Sequence, residues 1–427
     1  MKMTVCEYSH QVFELESALG RIAFIPTLRQ AMLIPEGVDI PKNVLSEIPT
    51  PESLLSPSSR PSPTHATLSL TENCNLRCWY CFADGGKGLK ELPLDAGRAV
   101  IDRIAKNALK RPDKKFMVHF FGGEPTLVWR KLLSLDKYAR QIAEKYGLVY
   151  TSVLTTNGLM SQKKREWIVS NISDRVTVSI DGLPELQNFQ RPLPNGEGSW
   201  EKVIKTVRFL YQTIPDKLLF RITVTDVGVE RIPEIVQYLA DNFPGVPQSY
   251  EPSSGNGRVG SPIQEPNSMR FVQKFFEGYE LGLSLGVSLR TSIVRLGLVG
   301  LSFCGACGYN LTITPDGRLT SCQRMVDGEY SNTSLVYGFW DSVSGELIID
   351  QKIQDQMLEI SVQNIKQCAD CFAKYSCRGD CLAIKAARGI DYQNEPSYRC
   401  DAIRWLIARM IERKLIKAST PECLSCV

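Results

Sequence analysis

The sequence predicts an α/β fold built on a parallel sheet or barrel and followed by a separate cysteine-rich domain, and three observations carry that prediction. Between Ala66 and about Pro252, short β-type runs alternate with amphipathic helical stretches, the pattern of βαβ units. Each run ends in small or polar residues, and the carboxyl edge of a parallel sheet is where ligands bind. Finally, the stretch from Cys304 to Cys400 holds eight of the 14 cysteines.

Composition narrows the classes. With 427 residues, 43% hydrophobic and 22% charged, the chain is long enough for two or three domains with ample core, and it is neither disordered nor fibrous. Lys plus Arg number 50 against 46 Asp plus Glu, a net charge of +4, which gives no field that argues for nucleic acid or an anionic membrane. The opening MKMTVCEYSH lacks the apolar core of a signal peptide. The expectation is therefore a cytoplasmic protein whose thiols serve metal or redox chemistry, since disulfides are rare in a reducing compartment. Only three histidines occur, His10, His65 and His119, so sulfur is the main ligand supply. The uncharged stretch Leu296 to Pro315 carries four glycines and a cysteine pair, and is read as a soluble segment.

Along the chain, Phe13 to Pro35 is strand-rich, and EIPTPESLLSPSSRPSPT then packs five prolines and five serines into 18 residues, as linkers do. Residues 1–64 are thus a small N-terminal module and its linker. The expected strands are ATLSLTEN, FMVHFFGGE, VYTSVLTTNG, RVTVSIDG and LLFRITVT, with helices over Asp95 to Lys110 and Lys131 to Tyr146. A helix around Asn267 to Leu283 leads into the cysteine-rich region. The expected domains are 1–64, 65–285 and 286–427, and no fixed-period repeat is present.

The run LSLTENCNLRCWYCFADGG places Cys74, Cys78 and Cys81 in C-x3-C-x2-C spacing directly after the first of these strands. Cuboidal iron-sulfur clusters take four thiolates, so three leave one iron open to a substrate or cofactor. On spacing alone, a zinc knuckle short of one ligand and plain buried thiols are the other readings. The neighbours point one way. Tyr80 precedes the last cysteine, and the next strand ends in Phe121, Gly122, Gly123, Glu124 and Pro125. Alone, Gly-Gly-Glu-Pro is turn chemistry; two glycines after a strand also let backbone approach a ligand without Cβ in the way.

Together these residues resemble the radical S-adenosylmethionine (SAM) superfamily, over roughly Thr64 to Cys400. Thr155, Thr156, Asn157 and Gly158 look like its TTNG segment, and Ser179, Ile180, Asp181 and Gly182 like its S-[IL]-D-G segment. Arg191 aligns with an arginine that often follows. The resemblance implies a partial (β/α)6 barrel in which a 4Fe-4S cluster on Cys74, Cys78 and Cys81 binds SAM. Tyr80, Gly122, Gly123, Glu124, Thr156, Asn157, Ser179, Asp181 and Arg191 would lie around the cofactor. Electron transfer to SAM then yields a 5′-deoxyadenosyl radical, and the hard chemistry belongs to the cofactor.

The second cysteine region resembles the SPASM domain. Cys368, Cys371, Cys377 and Cys381 keep C-x2-C-x5-C-x3-C spacing with Cys400 beyond, and Gly317 precedes Cys322 by the expected gap. Either Cys304 or Cys307 satisfies the position of the first ligand. The resemblance implies two auxiliary 4Fe-4S clusters, three clusters in all: Cys304, Cys307, Cys322 and Cys381 at one, Cys368, Cys371, Cys377 and Cys400 at the other. Two structural zinc sites satisfy the same spacing. Cys6, Cys423 and Cys426 receive no task; the terminal C-x2-C pair is read as reduced thiols or a redox site.

Relatives of this type act on peptides or proteins. One reading is a maturase that cross-links or otherwise oxidises a ribosomally made precursor peptide, fed by an electron donor such as flavodoxin or ferredoxin. Another is an anaerobic sulfatase maturase that makes formylglycine. The sulfatase group commonly places an aspartate base after the cysteine at the Cys322 position, where this chain has Gln323, a neutral amide. Cys322, Gln323 and Arg324 look instead like the C-x-R segment of some peptide-maturing members; a surface arginine is the other reading of Arg324. Residues 1–64 are either a docking module for a peptide strand or a capping segment. The rival of another class is a zinc-stabilised binding scaffold.

Overall fold

The structure is a computed structural model that describes residues 3–5, 12–38, 62–254, 257–295, 299–305, 310–325, 335–391 and 394–419. Cys6, Cys307, Cys423 and Cys426 lie outside these residues. The chain divides into two compact units. One draws on Met1–Ser59, Ser292–Cys304 and Ile360–Val427, and the other on Arg60–Thr291 and Gly305–Glu359. Among the described residues no helix is long and apolar enough to cross a membrane.

The first, the meander unit, opens with four antiparallel strands in sequential order: β1 (Met3–Val5), β2 (Phe13–Ser17), β3 (Gly20–Ile25) and β4 (Gln30–Ile34). Alternation along β2 buries Phe13 and Leu15, and β3 adds Ile22 to Ile25, all at most 3% exposed. This small sheet does not stand alone. Phe24 meets Phe372 edge to face at 6.4 Å, and β4 packs on the C-terminal helix Cys400–Ser419.

The second, the sheet unit, contains one eleven-stranded sheet. Its parallel part runs through β5 (His65–Ser69), β6 (Lys115–Phe121), β7 (Val149–Thr156), β8 (Arg175–Ser179), β9 (Leu218–Val224), β10 (Gln248–Pro252) and the short β11 (Leu289–Arg290), in sequence order. Helices connect each pair, giving six β/α units. All five expected strands appear.

β6 illustrates how the sequence builds the layers. Phe116, Val118 and Phe120 are fully buried on one side, whereas Lys115, Met117, His119 and Phe121 alternate onto the other. The buried side receives the helix Leu94–Ala108, whose Val100, Ile101, Ile104 and Ala108 recur at helical spacing. Each of the valine and isoleucine side chains contributes roughly 1.5–3 kcal/mol on leaving water. The next helix, Trp129–Tyr146, stops at Gly147, which takes the left-handed conformation at φ +60.

On the far side of β5 the sheet continues where the sequence suggested a separate domain. β12 (Leu311–Ile313) adds parallel to β5, and β13 (Arg318–Thr320), β14 (Val336–Trp340) and β15 (Leu347–Ile349) follow antiparallel. Cys322 therefore follows a strand of the main sheet, within the sheet unit.

Candidate active site at the strand ends

The loop that leaves β5 carries Cys74, Cys78 and Cys81. Leu76, fully buried, packs with Cys78 and Leu193, and Cys74, Tyr80, Cys81 and Leu159 close around that cluster. Backbone bonds fix the loop from outside, Arg77 N to Pro192 O at 2.8 Å and Trp79 N to Gln190 O at 3.0 Å. None of the three thiols is in a disulfide. Burial pushes Cys74 up to about 11 and Cys78 up to about 12, against the lowering effect of the Leu76 backbone hydrogen bond on the first and of the Arg191 cation on the second. Thiolates so placed need a metal's positive charge, which is the condition an iron-sulfur cluster meets.

The strand end of β6 shows why two glycines stand there. Gly122 has φ +146, and a Cβ on it would lie 2.8 Å from Thr71 O. On Gly123 a Cβ would fall 2.3 Å from Asn73 O. The cysteine loop docks in that space through Gly123 N to Thr71 O at 2.7 Å and Glu124 N to Asn73 O at 2.8 Å. Glu124 itself is fully buried. Its Oε1 accepts from Thr126 N at 3.0 Å and Thr156 Oγ1 at 2.9 Å, and Oε2 accepts from Asn157 N at 2.7 Å. The carboxylate thus ties the end of β6 to the end of β7. Burial raises its pKa, and these hydrogen bonds oppose the rise.

Asn157 connects that tie to the cysteines. Its Nδ2 donates to Asn75 Oδ1 at 2.8 Å and stands 3.6 Å from Cys74 Sγ. A donor beside a thiolate sulfur stabilises its charge. The half-buried Tyr80 and the buried Asp181 and Arg191 form a second group. The Tyr80 hydroxyl donates to the Asp181 carboxylate at 2.8 Å, and Arg191 Nη1 donates to the Tyr80 oxygen at 2.6 Å and lies 3.8 Å from Asp181 Oδ1. Burial lifts the Asp181 carboxyl to about 6 despite the Arg191 cation. Arg191 is 5% exposed, so this is not a surface arginine. Ser179 closes β8, half-buried at the same edge.

A third constellation was not legible in the sequence. His119, on the open side of β6, holds its Nε2 2.8 Å from Thr155 Oγ1, and Gln323 Nε2 stands 3.4 Å from His119 Nδ1 and 3.3 Å from Thr67 Oγ1. The period-2 row through Met117, His119 and Phe121 was the one available signal. Beside it, Arg324 lies over the Phe82 ring at 5.0 Å and hydrogen-bonds Ser254 Oγ.

In the meander unit, Cys368, Cys371, Cys377 and Cys400 line one cavity. Desolvation raises the Cys368 thiol to about 12, and Cys371 and Cys400 raise it further. Cys304 and Cys381 belong to the same unit, whereas Cys322 belongs to the sheet unit. Among the described residues no three His, Cys, Asp or Glu side chains gather tightly enough to hold a single ion. A cubane makes a different demand, because each thiolate binds a different iron.

Comparison with known proteins agrees with this architecture. Residues 68–239 match the family model of the radical SAM superfamily. The uncharacterized protein MJ0907 of Methanocaldococcus jannaschii is 28% identical over 177 residues, which are 41% of this chain and 58% of that protein. The radical SAM cyclopropyl synthase TigE of Paramaledivibacter caminithermalis is 24% identical over 379 residues, covering 81% of this chain and 74% of TigE. A serine-type anaerobic sulfatase-maturating enzyme of Klebsiella aerogenes is 22% identical over 77% of this chain and 82% of its own. Two solved structures share the fold: anSMEcpe with bound AdoMet and a Cp18Cys peptide, and Streptococcus suis SuiB bound to the precursor peptide SuiA. The first has a TM-score of 0.63 at 16% identity over 83% of this chain and 99% of that one. The second has 0.58 at 13% identity over 92% and 99%. Residues 68–239 of this enzyme are a radical SAM domain.

Proposed function

We propose that this chain is a peptide maturase that abstracts hydrogen from a ribosomally made precursor peptide and installs a thioether or carbon-carbon cross-link, or a related oxidative modification. The observation that carries the reading is the docking of the Cys74 to Cys81 loop on the Gly122–Gly123 strand end, with three buried or half-buried thiols outside any disulfide. Cys74, Cys78 and Cys81 would hold a 4Fe-4S cluster and leave one iron for SAM. When bound, that pair supplies a 5′-deoxyadenosyl radical.

The chain's own residues position and shield. Gly122 and Gly123 admit the loop backbone, Glu124 locks two strand ends together, and Asn157 offers its amide to the Cys74 sulfur. Arg191 brings a buried cation near Cys78, offsetting thiolate charge. Tyr80, Thr156, Ser179 and Asp181 complete the rim proposed to surround SAM. Cys368, Cys371, Cys377 and Cys400 would hold one auxiliary cluster, and Cys304, Cys307, Cys322 and Cys381 the other. A flavodoxin or ferredoxin in the cytoplasm would supply electrons.

Gln323 favours this reading over formylglycine formation. A neutral amide held by Thr67 supplies no general base at that position. SuiB bound to a precursor peptide lends the peptide substrate further support. The test is anaerobic incubation of reconstituted enzyme with SAM, a strong reductant and the peptide encoded beside this gene, read by mass spectrometry. Loss of two hydrogens with release of 5′-deoxyadenosine is expected, and Cys78→Ala abolishes both. An aldehyde at Cys or Ser would assign the sulfatase reaction instead, and intact SAM would sink the enzyme reading. Metal analysis separates the scaffold alternative: three clusters require about 12 iron atoms per chain, whereas zinc without acid-labile sulfide indicates a scaffold.

A further inference from the structure

The cavity lined by Cys368, Cys371, Cys377 and Cys400 is also lined by two cations from separate helices, Lys385 and Arg404. Lys385 belongs to the helix Leu382–Ala387 and is only 1% exposed. Its Nζ donates to Glu395 O at 3.0 Å, and its charge acts on Cys368 and Cys400. Burying an ammonium is costly, so a lysine is a poor choice for filling space there. Arg404 lies one helical turn beyond Cys400, lines the same cavity and pairs with Asp401, and its charge acts on Cys371 and Cys400.

Two carboxylates, Asp380 and Glu395, line the same cavity. Asp380 is 1% exposed and is engaged by Arg399 and by Ser397 Oγ. Lys374 also lines the cavity and directs its Nζ to Ala369 O at 2.8 Å. The lining thus holds three cations, Lys374, Lys385 and Arg404, against the two carboxylates, a surplus of one positive side chain facing the thiols.

Four thiolates outweigh the charge of a 4Fe-4S core, so the group is anionic before reduction and more so after it. A cation beside the ligand sulfurs favours the reduced form, and its effect is larger in a low-dielectric interior. We propose that Lys385 and Arg404 set the reduction potential of the iron-sulfur group in this cavity, raising it so that the site accepts an electron. The step takes up one electron from a low-potential donor, lowers the formal charge of the core by one, and makes or breaks no bond to hydrogen. This rests on the reading that the four cysteines hold such a cluster.

The test is an EPR-monitored redox titration of the full-length reconstituted protein with dithionite. The signal of this cavity is the one that disappears in Cys400→Ala, together with about four iron atoms per chain. Lys385→Met and Arg404→Gln should each lower the reduction equilibrium constant of that signal about tenfold, equivalent to 59 mV for one electron. Lys385→Arg should restore it. Retained iron and sulfide with an unmoved potential in both variants overturns the proposal and leaves the cluster assignment standing. Unchanged iron, sulfide and EPR in Cys400→Ala removes the cluster assignment, and the proposal with it. If Lys385→Met fails to fold, the more exposed Arg404 still decides the outcome.

Discussion

Gln323 Nε2 lies 3.4 Å from His119 Nδ1, joining the residue after Cys322 to the open side of β6. On the other ring edge, His119 Nε2 is 2.8 Å from Thr155 Oγ1. These contacts assign the neutral tautomer: Nδ1 accepts from the Gln323 amide, and Nε2–H donates to Thr155. Burial pushes the imidazole down to about 3, and the nearby cations Arg175 and Arg221 push the same way.

A stability dependence on pH follows. The folded-state pKa of His119 is about 3, below its ordinary value of 6.5, so between those values the unfolded chain binds the extra proton. The contribution of His119 to stability is complete above pH 6.5 and is lost as pH falls toward 3. The slope is at most about 1.4 kcal/mol per pH unit. Denaturant unfolding at pH 7.5 and pH 5.5 should show this loss, and His119→Gln should remove that part of it. An equal loss in the variant would show that His119 is not buried neutral.

Gly123→Ala should release the first cluster. The new Cβ would meet Asn73 O at 2.3 Å and Glu72 O at 2.7 Å, both backbone atoms of the cysteine loop that cannot rotate away. The loop must shift, and the three thiols with it. Reconstituted Gly123→Ala should lose about four iron atoms per chain and 5′-deoxyadenosine formation. Full iron content and wild-type cleavage would mean the loop tolerates the displacement.

The parallel core was legible because its signals are local. FMVHFFGGE alternates and ends in glycines, and β6 indeed runs Lys115–Phe121 with the turn immediately after. Gly122 and Gly123 were legible as residues that permit close approach, although the structure directs both Cβ positions at the Thr71 to Asn73 backbone. β12 to β15 escaped as sheet strands because three of the four have only three residues, and their place beside β5 depends on pairing far along the chain. The same distance hid His119, which meets a glutamine about 200 residues later. A lone histidine in an apolar strand carries no local mark of a partner that remote.

Glu124→Gln should loosen the joint between β6 and β7. Both carboxylate oxygens accept hydrogen bonds, from Thr126 N, Thr156 Oγ1 and Asn157 N. An amide supplies one acceptor and turns an NH2 toward at least one backbone N–H, leaving a buried donor unsatisfied at a cost of about 1–3 kcal/mol. The predicted result is a lower unfolding midpoint together with weaker SAM binding, measured by equilibrium dialysis on the reconstituted enzyme. A variant equal to wild type in both would show that the carboxylate is not a tie.

Arg191 offers the sharpest test of the trio. Replacing it by Met leaves the Asp181 carboxylate, 1% exposed, with Tyr80 and Gln190 as side-chain donors but no countercharge. Breaking a buried pair from one side costs about 3–5 kcal/mol. Arg191→Met with Asp181→Asn removes both charges and should recover part of that loss, because the uncompensated carboxylate is gone. Tyr80→Phe should cost less than Arg191→Met, since Arg191 and Asp181 remain 3.8 Å apart without the bridging hydroxyl. A double-mutant cycle on unfolding free energy measures the coupling directly. Additive losses would mean that Arg191 and Asp181 act independently and do not stabilise each other.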